Sequence, residues 1–170
     1  MKQQIIISGR GGQGVLTLTR LLAQAAAHQN LEVITSETHG MAQRGGAVVS
    51  MVKVGSFRGP LIAAGQADVG LFLQGANLPV HGFYLKPGGA VFVNTPVPGQ
   101  YQALDAFALA AALELAPVSV NLIMLGFAAA RGRLFCGPQV FLDLLAQAPA
   151  SRFFQANLKA FQAGLQAGAP

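Results

Sequence analysis

"IIISGRGGQGVL", residues 5–16, decides how the rest of the chain is read. Its isoleucines end a short, continuous, β-branched run over residues 3–8, the pattern of a strand buried on both faces. Gly9-Arg10-Gly11-Gly12-Gln13-Gly14 then fits G-x-G-x-x-G. From Gly12 to about His28, the residues Val15, Leu18, Leu22, Ala25 and Ala26 fall on one helical face. A glycine turn between strand and helix suits an anion. The first helical N–H groups have no partner within the helix, and glycines let a ligand come close. Arg10 adds a positive charge at the same mouth.

"LEVITSE" (residues 31–37) predicts a second strand and hence a β-α-β opening, in which an acidic residue at the end of that strand would grip a ribose. Glu32 has suitable spacing but opens the strand, and Glu37 lies at the correct end but comes late. Two readings of the turn therefore stay open: an anion cradle, or a packing device that brings helix and strand together.

Further strands are predicted at residues 47–55, 67–74 and 90–95, with "KPGG" (residues 86–89) as a turn before the last of these. Alanine-rich residues 101–116 read as one helix, and "PVSVN" as a short edge strand. Asn121 is expected to cap a helix reaching Arg131, and Pro138 to open one ending at Gln147. Ser151 is expected to cap a last amphipathic helix carrying Phe154, Leu158, Phe161 and Leu165, with "GLQAGAP" frayed. The sum is one domain over residues 1–170: an α/β, doubly wound, Rossmann-like, mostly parallel sheet with helices on both faces.

Composition limits the function. Apolar residues make up 52% of the chain and charged residues 10%, against a usual charged share of about 25%. Part of the surface is therefore expected to lie under other subunits, or under further copies of the isolated chain. The net charge of +5 is spread from Lys2 to Lys159 with no aromatic-rich basic cluster, which argues against nucleic acid. Cys136 stands alone, so the chain cannot form an internal disulfide or ligate an iron–sulfur cluster by itself. No zinc spacing, nucleophile elbow or acid/base pair is visible, so no catalytic residue is assigned and no metal site is expected. The apolar stretches are too short to cross a bilayer or form a signal-peptide core, and a cytoplasmic location is expected.

"SETHGMAQRGGAVVS" (residues 36–50) is the other distinctive stretch. In a doubly wound sheet the loop after the second strand shares an edge with the loop after the first, so His39, Gln43 and Arg44 are expected beside Gly11–Gly14. Gly45-Gly46 would turn the chain into the next strand. Taken together, "GRGGQGVLTLTRLLAQAA", "SETHGMAQRGGAVVSMVKVG" and "VNLIMLGFAAARG" resemble the gamma subunit or domain of the 2-oxoacid:ferredoxin oxidoreductases. The form "HGMAQRGG" is most similar to the small (beta) subunit of the indolepyruvate type.

The resemblance implies a subunit of a complex that oxidatively decarboxylates a 2-oxoacid, forms an acyl-coenzyme A and passes electrons to ferredoxin. It implies thiamine diphosphate, Mg and iron–sulfur clusters on a larger partner subunit, with no cofactor held by this chain alone and little activity in isolation. Coenzyme A would lie near the two loops, at Gly9, Arg10, Gly11, Gly12, Gln13, Gly14, His39, Gln43, Arg44, Gly45 and Gly46. From the residues alone, the alternatives are a free-standing dinucleotide-dependent oxidoreductase and a non-enzymatic scaffold.

Overall fold

The buried run Ile5–Ile7 forms the middle of β1 (Gln3–Arg10), an inner strand of a six-stranded mixed sheet. The computed structural model describes residues 1–38, 45–147 and 152–170. In chain order the elements are β1, α1 (Val15–His28), β2 (Val33–Glu37), β3 (Ala47–Val54), β4 (Ala67–Phe72), α2 (Leu78–His81), β5 (Leu85–Asn94), β6 (Gln102–Leu104), α3 (Ala106–Ala112), α4 (Val120–Ala130), α5 (Pro138–Gln147) and α6 (Phe154–Gly168). Spatial order is β2-β3-β1-β4-β5-β6. β1, β4, β5 and β6 pair in parallel, whereas β3 runs antiparallel to both of its neighbours.

β3 thus separates the two parallel strands of the opening β-α-β unit. Its side chains fit that central place, with Val48, Val52 and Val54 buried in one core and Val49 and Met51 in the other. Three expectations about the second half are corrected. "KPGG" does not precede a strand but lies inside β5, where the register against β4 jumps from Ala67↔Leu85 to Val69↔Ala90, a bulge. Residues 101–116 are not one helix. Residues 102–104 pair with β5 as an edge strand, and the Asp105 carboxylate then accepts the Ala108 N–H at 3.0 Å to start α3. "PVSVN" is no strand but a 3-10 turn (Pro117–Ser119) running into α4.

α1, α3, α4, α5 and α6 cover one face of the sheet. α4 is buried from Val120 to Ala129, so its apolar sequence marks the centre of the protein and not a membrane segment. Among the described residues no helix is long and apolar enough to cross a membrane. α6 packs on α4 backbone to backbone, because a Cβ on Gly126 would overlap the Phe161 carbonyl and one on Gly164 the Ile123 carbonyl. That contact explains why the C-terminal stretch stays helical to Gly168 instead of fraying. Phe161 is fully buried, while Phe154, Leu158 and Leu165 are half-buried. Ser151, expected as a cap, lies outside the described residues.

The opposite face has a thinner cover. Ile6, Val49, Met51, Phe72 and Val93 are roofed by Ile62 of the 55–66 connection, by Leu78 of α2 and by Tyr84. The same covering segments expose large apolar side chains: Leu61 at 68%, Val80 at 50% and Phe83 at 56%.

Candidate functional site

β1 extends two residues further than its apolar run predicts, so Gly9 and Arg10 still pair with β3 before the chain turns. The turn is closed by Gln13. Its Oε1 accepts the Arg10 N–H at 2.7 Å, its own N–H donates to the Arg10 carbonyl at 3.1 Å, and its Nε2 donates to Gln74 Oε1 at 3.2 Å. Gly14 then sits left-handed at φ 79° as the N-cap of α1, and no side chain caps the helix. The leading N–H groups of α1 therefore face the loop without an internal partner.

Asn121 does not cap α4. It sits one residue inside that helix and its Nδ2 donates to the Gly14 carbonyl at 3.3 Å, tying the glycine loop to a residue 107 positions away. The second loop arrives where the topology requires. The Gly11 N–H donates to the Gly46 carbonyl and Arg10 Nε to the Gly45 carbonyl, both at 3.4 Å. His39, Gln43 and Arg44, expected at the same place, lie outside the described residues.

The glycine loop is a ridge between two cavities. One, of about 300 Å³, is lined by Leu16, Glu37 and Thr38; the other, of about 400 Å³, by Gln13, Gln74, Phe107 and Val118; Arg10, Gly11 and Gly12 line both. Glu37, late in spacing, thus borders the same space as the turn, although β2 ends level with Ile7, three residues short of the end of β1. Glu32 accepts a hydrogen bond from Ser56 at 2.9 Å at the far end of β2.

A polar set behind the loop has no signature in the sequence. Ser8, fully buried at the end of the isoleucine run, has its Oγ 2.7 Å from His81 Nδ1. Asn77 Nδ2 donates to Ser8 Oγ at 3.1 Å and to the Gly9 carbonyl at 2.8 Å. Ser8 Oγ accepts from Asn77 and keeps both its proton and a second lone pair for His81 Nδ1, so the contact forms with either tautomer of the neutral imidazole. Burial lowers the pKa of His81 below 6.5 and favours this neutral form. The set anchors the start of the glycine loop to α2. With Ser8 shut away from solvent it is a positioning network and not a nucleophile with its base.

Cys136 is half-buried, and burial pushes its thiol up to about 11. It is a packing residue beside the larger core. Among the described residues no group of three or more His, Cys, Asp or Glu is placed to hold a metal.

A largely parallel α/β sheet, with a glycine turn at the carboxyl end of β1 and a second loop bonded onto it, defines a Rossmann-like α/β domain with both loops on one edge. Residues 4–167 match the family described as pyruvate ferredoxin/flavodoxin oxidoreductase, and the chain belongs to that family. It is 44% identical over 95 residues to the indolepyruvate oxidoreductase subunit IorB of Archaeoglobus fulgidus, a match covering 56% of this chain and 47% of that one. The matched stretch thus spans about half the length of that relative.

Among solved structures, the gamma subunit of a keto/oxoacid ferredoxin oxidoreductase from Geobacter sulfurreducens superposes with a TM-score of 0.75 at 27% identity, covering 98% of each chain. The 2-oxoglutarate:ferredoxin oxidoreductase of Magnetococcus marinus, solved with 2-oxoglutarate, coenzyme A and succinyl-CoA bound, matches over 98% of this chain and 31% of its own at a TM-score of 0.74. At 23% identity that likeness speaks for the fold.

Proposed function

We propose that this chain is the gamma-type subunit of a 2-oxoacid:ferredoxin oxidoreductase of the indolepyruvate class, with its glycine loop facing coenzyme A in the assembled enzyme. One observation carries the reading: Gly45 and Gly46 of the second loop are bonded onto Arg10 and Gly11, so both distinctive motifs converge on one uncapped helix N-terminus. Family membership and the likeness to a gamma subunit support it. So does the coenzyme A held by the Magnetococcus enzyme of the same fold.

The residues fit a phosphorylated ligand. A Cβ at Gly12 would meet nothing within 4 Å, which leaves room in front of the turn, and Arg10 reaches the mouth. Gln13 and Asn121 hold the loop in shape; the N–H groups of α1 and the Arg10 guanidinium would bind the phosphates. Coenzyme A supplies the thiol that takes the acyl group.

Thiamine diphosphate with Mg, and the iron–sulfur clusters, belong in this reading to a larger partner subunit, since one half-buried cysteine cannot provide cluster thiolates. The exposed Leu61, Val80 and Phe83 suit a chain made to be covered. Ferredoxin is reached through the complex. The test is Arg10→Ala in the assembled enzyme. The KM for coenzyme A is expected to rise about tenfold, the range for one charge-assisted contact, with the KM for the 2-oxoacid unchanged. An unchanged coenzyme A KM removes the assignment.

A further inference from the structure

The basic residues look dispersed along the sequence, but the fold gathers several at the end of the sheet opposite the glycine loop. Arg131 and Arg133 follow the carboxyl end of α4, Lys2 precedes β1, and Lys86 lies in the bulged start of β5. Two adjoining cavities, of about 370 and 340 Å³, meet at Arg133 and Ala90.

Asp68 is the acidic residue lining this pair of cavities, and it is already engaged: Lys86 Nζ bonds one carboxylate oxygen and the Gln4 N–H the other. The larger cavity has no acidic lining residue; beside the two arginines stand Gln100, Tyr101 and Gln102.

Both arginines are exposed; the side chain of one and the backbone of the other are held. The Arg131 guanidinium lies over the Phe127 ring at 5.6 Å, which holds the plane and leaves its N–H groups available. The Arg133 carbonyl accepts Gln3 Nε2 at 2.9 Å, which fixes the turn joining α4 to the next segment. Neither guanidinium meets a carboxylate among the described residues. Two planar donor forks lining one cavity together with two glutamines suit bidentate capture of an oxyanion.

We propose that this cavity is a second anion site, in which Arg131 and Arg133 bind a multiply charged oxyanion group of a small molecule, with Gln100 and Gln102 completing its hydrogen bonds. The group is a phosphate or a carboxylate, and the site is independent of the glycine loop at the other end of β1.

The test titrates the full chain by calorimetry with pyrophosphate and, separately, with citrate, at constant ionic strength held by potassium chloride. Backbone amide NMR shifts are followed in parallel. One of the two anions is expected to bind, and which one binds tells phosphate from carboxylate. The shifts are expected at residues 100–102 and 131–133. The double variant R131Q/R133Q should weaken binding about tenfold or more, while R20Q, at an exposed arginine of α1 that lines neither this cavity nor the glycine loop, changes it less than about twofold. R131K/R133K, which keeps charge but loses the forks, should fall between. Any of three results overturns the site: neither anion binds at millimolar concentration, the shifts appear at residues 11–16 with none at 100–102 and 131–133, or R20Q weakens binding as much as the double variant. The shift map on the unaltered chain decides the matter even if a variant fails to fold.

Discussion

Replacing Gly14 by alanine probes the joint on which the candidate site hangs. Two separate penalties meet at this position. At φ 79° an alanine sits in the left-handed region, which costs about 1–2 kcal/mol. The new Cβ would also overlap the Asn121 amide, whose residue is 4% exposed and whose Nδ2 holds the Gly14 carbonyl. Pushing that buried amide off its acceptor adds roughly 1–2 kcal/mol. Gly12 separates the two terms, because it has φ 85° but nothing within 4 Å of a Cβ. Urea denaturation of the full chain should therefore show Gly12→Ala losing about 1–2 kcal/mol and Gly14→Ala about 3 kcal/mol, the latter a fall in Tm of roughly 6–12 °C. In an Asn121→Ala background the Gly14→Ala loss should shrink to that of Gly12→Ala, a coupling of about 1.5 kcal/mol. If Gly14→Ala is no worse than Gly12→Ala, or the double-mutant cycle is additive, the Asn121 tether is not holding the loop.

Gly164→Ala drives a Cβ into the Ile123 backbone carbonyl, which no rotamer change relieves; it is expected to lose about 3 kcal/mol in the same denaturation assay, whereas Gly137→Ala, with open space around it, stays near neutral. Asp105→Ala removes the N-cap of α3 and should lower stability by about 1 kcal/mol. His81 has a pKa below 6.5 in the folded protein, so the unfolded chain takes up the proton first as the pH drops. The stability from neutral His81 is complete above pH 6.5 and is lost as pH falls through the lowered folded value. His81→Gln should be less stable than the parent at pH 7.5, and the gap in urea midpoint should narrow by pH 5.5; a gap independent of pH removes the neutral-histidine anchor.

How much of this was legible in the sequence follows from the range of each interaction. The strand–turn–helix at residues 3–28 could be read because its determinants are local: a β-branched run, glycines in fixed register and a helical apolar stripe. The convergence of the two loops could also be read, since parallel strands joined by a helix end on one edge. The antiparallel entry of β3 between β2 and β1 could not, because alternating valines with both faces buried suit either direction. β6 was hidden for another reason: alanine-rich residues favour helix locally, and the pairing Phe92↔Gln102 overrides that preference only in the folded sheet. Turn residues at "KPGG" made a bulge within a strand where they were expected to precede one. The Ser8–Asn77–His81 set, the Asn121 tether and the basic edge are contacts between distant positions, and no local pattern announces them.

The most direct measurement is turnover by the purified chain, alone and coexpressed with a cysteine-rich large subunit, using an aryl pyruvate, coenzyme A and oxidised ferredoxin. Reduction of ferredoxin should appear only with both chains present, with thiamine diphosphate and iron retained by the larger one. Ferredoxin reduction by the single chain would contradict the account at its centre.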